Sequence, residues 1–287
     1  MRGWIQKILD APDRVVGLNR RNLEMIYRLN KRKDYLLAND KVKAKQFLRE
    51  IGAPVPASYR VYDSLYALEG LENDLAEHPE FVVKPALGSR GNGIKLLKQS
   101  KRGRYHSGGK ELKADQLTYF MASIIFGKFS QGQQDVALVE QMLHAAPELE
   151  RLSQGGLPDL RILIAEERIL AGMLRLTTKA SDGKANLHQG GIGVGLDLER
   201  GETTRAMLDG KPITHHLDTG VELGGNKIPH WKELMEISQR IAHKCPLKYL
   251  GIDLTLDRDH GPMVIEFNAR PGLEIQNVNN LGLMGLL

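Results

Sequence analysis

Three oxygen-bearing residues near the C-terminal end of the chain, Asp253, Glu266 and Asn268, could hold a hard cation. They fall in the stretch GIDLTLDRDHGPMVIEFNARPG, residues 251 to 272. Ile252, Leu254 and Leu256 alternate with polar residues, as in a half-buried strand. Met263, Val264, Ile265 and Phe267 form a second apolar run, and Asp257 to Gly261 between them are turn formers. A turn centred between Asp259 and His260 would set Asp253 opposite Glu266. Glu266 and Asn268, two apart, leave the same face of their strand. Two carboxylates and an amide, completed by water and phosphate oxygens, suit magnesium. Taken alone, the same residues serve equally well as a solvated turn. Arg270, Pro271 and Gly272 immediately after, and anion-binding signals upstream, favour the metal.

The first upstream signal is Phe81-Val82-Val83-Lys84-Pro85 followed by Gly88-Ser89-Arg90-Gly91-Asn92-Gly93 and a return strand over 94–98. Glycines let backbone N–H groups turn inward around an anion. No Gly-Lys-Ser/Thr follows, and a strand rather than a helix comes next, so neither the Walker loop nor the dinucleotide fingerprint is present; an ordinary β-turn remains the competing reading. The second signal is a hairpin, 159–165 and 169–176, which brings Arg175 back beside Asp159 and Arg161. Their planar donors suit phosphate or carboxylate. A second glycine-rich loop, 184–193, carries Asn186 and His188, and His188 is expected to be structural.

These groups need elements to hold them. Strands are expected at 58–62 and 136–142, helices at 65–77, 116–129 and 231–244, and a surface excursion at 99–115. Residues 21–51 read as helical, with Leu23, Ile26, Tyr27 and Leu29 on one stripe and Asn39-Asp40 capping a second helix from Lys41. Trp4, Ile5, Ile8 and Leu9 lie at helical spacing and are expected to pack on the domain rather than dock on a membrane. Residues 213–225 read as loop, and glycine, leucine and asparagine fill the tail to Leu287.

The chain has 287 residues, 41% hydrophobic and 26% charged, ordinary for a globular protein. No apolar run approaches the ~20 residues needed to span a bilayer, and no secretory leader is evident. The single cysteine, Cys245, excludes an internal disulfide and reads as packing, so a cytoplasmic location is the default. The formal charge of +5, 40 basic against 35 acidic residues, favours anionic ligands. With 6% aromatics, nucleic acid is not the expected partner.

The ordered set of Lys41, Lys84, the Gly88–Gly93 loop, Val139-Glu140-Gln141, Asp159-Leu160-Arg161, Arg175, Asn186 to Gly191, Asp253 and Glu266-Phe267-Asn268 resembles the ATP-grasp superfamily. The likeness is greatest to its α-L-glutamate ligase-like branch and to sugar-transferase-associated ATP-grasp proteins, and it covers roughly 38–280. It implies an α+β fold in which two α+β lobes clasp ATP. Lys41 and Lys84 would neutralise the triphosphate, and Gly88, Ser89, Gly91 and Gly93 would form a flap over it. Glu140, Gln141 and Leu143 would belong to the linker that reads adenine and ribose, with Asn186 also at the nucleotide. Arg175, Arg161 and Arg270 would face the γ-phosphate, acyl phosphate or reacting carboxylate. Asp253, Glu266 and Asn268 would carry magnesium, usually two ions, with manganese able to substitute. The implied reaction is carboxylate–amine ligation through an acyl phosphate, adding glutamate or another amino acid to a peptide or protein. Alternatives are a nucleotide-binding scaffold and a phosphotransferase of the same fold.

The resemblance divides the chain into a helical N-terminal extension at 1–40, a small-lobe region at 41–140 and a large lobe at 141–287. Family members carry a full N-terminal domain where this chain has about forty residues. The expectation is therefore either that acceptor recognition is reduced or that a partner protein supplies it, alongside small-molecule or peptide carboxylate and amine substrates.

Overall fold

The protein's structure, a computed structural model, describes residues 15–88, 91–100 and 104–286. Its first helix, α1, spans residues 18–29 in three pieces, Leu18–Arg20 and Tyr27–Leu29 being α-helical and Arg21–Ile26 a π-helical turn. Met25 and Ile26 enter a core with Leu163, Ala165 and Tyr249. The expected stripe is thus divided: Ile26 is buried while Leu23 and Tyr27 are exposed. The widened turn, closed by Tyr27 N–H donating to Asn22 O, shifts the register of everything after it. The stretch from Trp4 to Leu9 lies outside the described residues.

The helical reading of 21–51 also breaks at Asn30, which is extended. Its side chain donates to Tyr249 O at 2.7 Å and accepts from Lys248 N at 2.8 Å and Tyr249 N at 2.9 Å. It therefore satisfies strand backbone that a helix could not reach. Helix α2, Lys41–Glu50, starts as expected, with Asp40 Oδ1 accepting from Val42 N at 2.9 Å and Lys43 N at 3.2 Å.

Two compact units follow from the contacts. One holds Asn39–Lys43 and Pro56–Leu143; the other holds the described residues up to Ala38, Ala44–Val55 and the chain from His144 onward.

The smaller unit is a six-stranded antiparallel sheet. Its strands are β1 (Ser58–Tyr62), β2 (Glu80–Pro85), β3 (Lys95–Gln99), β4 (Tyr105–Ser107), β5 (Lys110–Leu112) and β6 (Ala137–Glu140), in the order β1-β6-β2-β3-β4-β5. Helix α3, Ala114–Ile125, buries Leu117, Met121, Ile124 and Ile125 with Phe81, Val83 and Val139 of the sheet. The polar stretch expected as a surface excursion contributes β4 and β5 instead. Tyr105 is the anchor: it is buried edge-on to Phe81, ring centroids 5.6 Å apart.

The larger unit is a seven-stranded antiparallel sheet. Its strands are β7 (Asp159–Ala165), β8 (Arg168–Leu176), β9 (Ile192–Asp197), β10 (Glu202–Leu208), β11 (Lys211–Ile213), β12 (Tyr249–Asp257) and β13 (Gly261–Asn268), in the order β11-β10-β9-β8-β7-β12-β13. Helix α4, Trp231–Lys244, buries Leu234, Ile237 and Ile241 against one face, in a core with Leu160, Ile162, Ile164, Ile252 and Leu254. Helix α5, Glu274–Asn279, joins α1 on the other face through Ile275 and Val278. Cys245 is buried in the first of these cores, and burial pushes its thiol up to about 11, as suits a packing residue.

Candidate functional site

The hairpin β12–β13 sets Asp253 opposite Glu266, as expected, by a different route. The turn is centred on Asp259, since Asp257 pairs with Gly261 and Leu254 with Val264; Ile265 is then an extra residue, a bulge that restores Asp253 to Glu266 and Gly251 to Asn268. Asp257 holds the turn, its Oδ1 accepting from Asp259 N at 3.1 Å and His260 N at 3.0 Å. Asn268 Nδ2 donates to Glu266 Oε1 at 3.3 Å. The three expected metal ligands are therefore neighbours on one face.

On that face, opposite charges meet across three adjacent strands, β8, β7 and β12, and Glu266 of β13 adds a second acid beside Asp253. Arg175 of β8 pairs in register with Asp159 of β7, and Arg161 of β7 pairs with Asp253 of β12. The side chains follow the register. Arg175 grips Asp159 through two bonds, Nε to Oδ1 at 2.5 Å and Nη2 to Oδ2 at 2.7 Å. Arg161 grips Asp253 through two, Nε to Oδ1 and Nη2 to Oδ2, the latter at 2.7 Å. Arg175 Nη2 also reaches Asp253 Oδ2 at 2.8 Å, linking the two pairs. All four side chains are nearly buried. The odd-numbered residues of β7 that continue this face, Leu163 and Ala165, lie in the apolar core under α1 and α5, so the face is greasy at one end and ionic at the other.

Burial pushes the Asp159 carboxyl up to about 7, Arg175 pulling against that and Asp253 adding to it. Burial opposes charge on Asp253 too, but Arg161 and Arg175 together outweigh it and hold that carboxyl below the usual range. Of the two acids sharing Arg175, Asp253 keeps its charge. A carboxylate offers about four acceptor directions; these three bonds leave one on Oδ1. Asp253 can accept a cation there beside Glu266 and Asn268, and this hard-oxygen set fits magnesium. Two adjacent guanidiniums would repel a bare cation, whereas one carrying phosphate suits the mixture. Asp159 went unrecognised as a site residue, although the alternation Asp-Leu-Arg along β7 is the signal for it.

Arg270 lies apart from this ladder. It is exposed, and its guanidinium stacks 5.5 Å from the centre of the Tyr35 ring. Asn186 Oδ1 accepts from His188 N at 3.1 Å within its loop, and the His188 side chain is exposed rather than core-packed.

In the smaller unit, Lys84 of β2 pairs across from Leu138 while Glu140 of β6 faces Val82, so lysine and glutamate are diagonal on one face. They form a buried ion pair. Lys41 Nζ donates to Gly88 O at 2.5 Å, and Lys41 N donates to Ala86 O at 3.0 Å, so Lys41 is tied to the start of the glycine loop, which follows the strand that carries Lys84. Asp135, another residue the sequence did not mark, fixes the loop's start by accepting from Leu87 N at 3.0 Å. Gly93, at φ +76°, sits so close to Phe129 that a Cβ would lie 2.6 Å from its ring. Gly91 is also left-handed, and Ser89 lies outside the described residues. Gln141 is tied to Ala57 by N–H to O at 2.8 Å and by Oε1 accepting at 3.1 Å, and Leu143 is half-buried.

A curated protein of Trichodesmium erythraeum (strain IMS101), a probable alpha-L-glutamate ligase, is 26% identical over 237 residues, 83% of this chain and 58% of that protein. Among solved structures, the ATP-grasp ligase PsnB complexed with a minimal precursor is matched over 90% of this chain and 60% of that one, at 15% identity and TM-score 0.50. Phosphoribosylamine–glycine ligase of Thermotoga maritima is matched over 92% of this chain and 57% of that one, at 16% identity and TM-score 0.52. The two structural likenesses are of fold, and the chain spans less than two thirds of the length of each of these three proteins. The family model for sugar-transfer associated ATP-grasp matches residues 20–287 and so takes in both sheets, both lysines and the whole charge ladder; the chain belongs to that family.

Proposed function

We propose that the chain binds ATP with magnesium and joins a carboxylate to an amine through an acyl phosphate. The observation that carries this reading is the ladder in which Arg175, Asp159, Arg161 and Asp253 meet beside Glu266 and Asn268. Lys41, Lys84 and the Gly88–Gly93 loop bind the phosphates, and Glu140, Gln141, Leu143 and Asn186 serve the rest of the nucleotide. Asp253, Glu266 and Asn268 hold the metal, which would neutralise phosphate oxygens as charge builds on them. Arg161 and Arg175, held rigid by their carboxylates, orient the transferring group, and Arg270 holds the carboxylate substrate. The substrate carboxylate oxygen attacks the γ-phosphorus and ADP leaves; the amine nitrogen then attacks the acyl carbon, orthophosphate leaves and the nitrogen gives up a proton. No covalent nucleophile from the protein is required, so positioning and charge neutralisation carry the catalysis. The name of the Trichodesmium relative supports glutamate as one reactant.

The test is calorimetric titration with a non-hydrolysable ATP analogue, with and without magnesium. Binding is expected to require magnesium and to weaken at least about tenfold in Asp253→Asn and in Glu266→Gln. Glu266→Gln leaves both arginine pairs of Asp253 intact, so a loss there is not a folding effect. Absence of binding at millimolar analogue, or full affinity in Glu266→Gln, overturns the reading.

A further inference from the structure

Among the described residues, only one of the two faces of helix α1 is packed. Met25 and Ile26 are buried, Arg21 Nη1 donates to Pro271 O at 3.1 Å, and Val16 is clasped by Gln276 through its N–H at 2.8 Å and its carbonyl at 2.9 Å. This inner face fastens α1 to the larger unit. On the outer face exposure recurs at residues 18–19, 23–24 and 27–28, a spacing of five and then four. The π-helical turn between Arg21 and Ile26 accounts for the five. Leu23 (67% exposed) and Tyr27 (58%), four apart, form an apolar row on this side, and Leu18 (63%) is exposed at the start of the helix. Leu36 is exposed as well, at 62%.

The surroundings of this row are cationic. Arg28, Lys31, Arg32 and Lys33 are all exposed, and the acid on the row's flank, Glu24, is paired with Arg20 at 3.1 Å. A patch of two leucines and a tyrosine is far smaller than the ~800 Å² per partner of a stable protein interface. A narrow apolar row flanked by arginine and lysine is the composition of a helix that lies in an anionic lipid surface. The sequence just before α1 repeats that composition, with Trp4, Ile5, Ile8 and Leu9 among Arg2 and Lys7.

We propose that the outer face of α1 (Leu18, Leu23 and Tyr27, with Arg28 and Lys31–Lys33 beside them) docks the protein on an anionic membrane surface. The helix lies along the headgroups, its three apolar side chains reach the acyl boundary, and the basic residues pair with acidic lipid. Among the described residues no helix is long and apolar enough to cross a membrane, so the attachment is peripheral and reversible. The proposal is independent of the ligase reading.

Vesicle sedimentation of the purified full chain tests it, with phosphatidylcholine alone and with phosphatidylserine added. Binding is expected only with phosphatidylserine, and it should weaken as salt is raised. Leu23→Glu/Tyr27→Glu should lower it at least about tenfold with the melting temperature unchanged. Arg28→Glu/Lys31→Glu, which leaves the apolar row intact, should lower it by a similar factor. The proposal is overturned by absence of binding to phosphatidylserine vesicles at low salt, or by binding that both variants retain. Binding to polyglutamate but not to vesicles would make the occupant an acidic protein. A dimer that Leu23→Glu/Tyr27→Glu dissociates would make it a second copy of this chain; either result also removes the lipid assignment.

Discussion

The two buried charge clusters are built by the same device, strand register, and differ in the cation that each uses. In the smaller unit, strand register gives one lysine one glutamate, Lys84 with Glu140. In the larger unit, register gives Asp253 two arginines from two different strands, and one of these is itself held by Asp159. An ammonium is a point charge on a flexible stem and can change partners; a guanidinium fork locked onto a carboxylate cannot do so without losing two bonds. The lysine pair is a site that can be opened by an incoming anion. The arginine ladder is a rigid frame that holds the Asp253 carboxylate in one place beside Glu266.

The comparison can be broken by removing one charge from each cluster. Arg161→Met takes two bonds from Asp253 and leaves a buried acid with one partner. It should cost about 4 kcal/mol, near the upper end for a broken buried pair. Lys84→Met takes one ammonium from the buried Glu140 and should cost about 3 kcal/mol, less because a single-point ion pair rather than a two-bond fork is lost. Urea unfolding with unchanged slope measures both. The double variant Lys84→Met/Glu140→Leu should recover part of that loss, because the buried glutamate that the single change leaves without its lysine is also removed. If Lys84→Met costs more than Arg161→Met, the ladder is not the more tightly bound cluster and the contrast fails.

Legibility followed the range of the interactions. The alternation of Ile252, Leu254 and Leu256, the turn formers after them and the Asp40 cap are local signals, and each element they mark is present. The opposition of Asp253 and Glu266 was readable although its cause was not: the bulge at Ile265 depends on the turn closing one residue tighter, around the Asp257 carboxylate. In β9 glycine masked the alternation, because Gly193 and Gly195 interrupt its apolar run. Gly193 occupies the middle of a buried pairing because a Cβ there would lie 2.7 Å from Val278 of α5, a contact 85 residues away in sequence. The stripe on α1 failed for a related reason, since a periodicity of 3.6 cannot anticipate a π-helical turn. Arg161 and Arg175 were readable as a pair at one hairpin end, but their convergence on Asp253 required knowing that β12 lies beside β7.

A smaller effect sharpens the view of the lysine-supported loop. Gly93→Ala meets both a left-handed backbone and the Phe129 ring 2.6 Å from the new Cβ; Gly91→Ala meets the left-handed backbone alone, with no heavy atom within 4 Å. The former should cost about 2–3 kcal/mol and the latter about 1 kcal/mol by thermal unfolding. Equal costs would mean that the loop is not seated on Phe129, and that the smaller unit's site lacks the fixed support seen in the ladder.

The smallest effect concerns the turn that sets the ladder's register. Burial works against the Asp257 carboxylate, but His144 N, the His260 ring and the N–H groups of Asp259 and His260 more than compensate and lower its pKa. A lowered folded-state value means that the charged form stabilises the native protein. That stabilisation is fully present above the unfolded carboxyl's pKa, about 3.9, and is lost as pH falls through the lower folded value. Asp257→Asn should therefore destabilise by about 1 kcal/mol at neutral pH, the scale of a hydrogen bond to a charged group in a turn. Its difference from the parent should narrow as pH drops below about 4, where the parent's own carboxylate is being protonated. Unfolding free energies at neutral pH and at the acid limit of reversible folding measure this. A difference that stays constant would show that Asp257 acts through geometry alone. In that case the register placing Asp253 against Glu266 is held by hydrogen bonds that an amide also supplies, and acid would weaken the turn no more than it weakens the rest of the sheet.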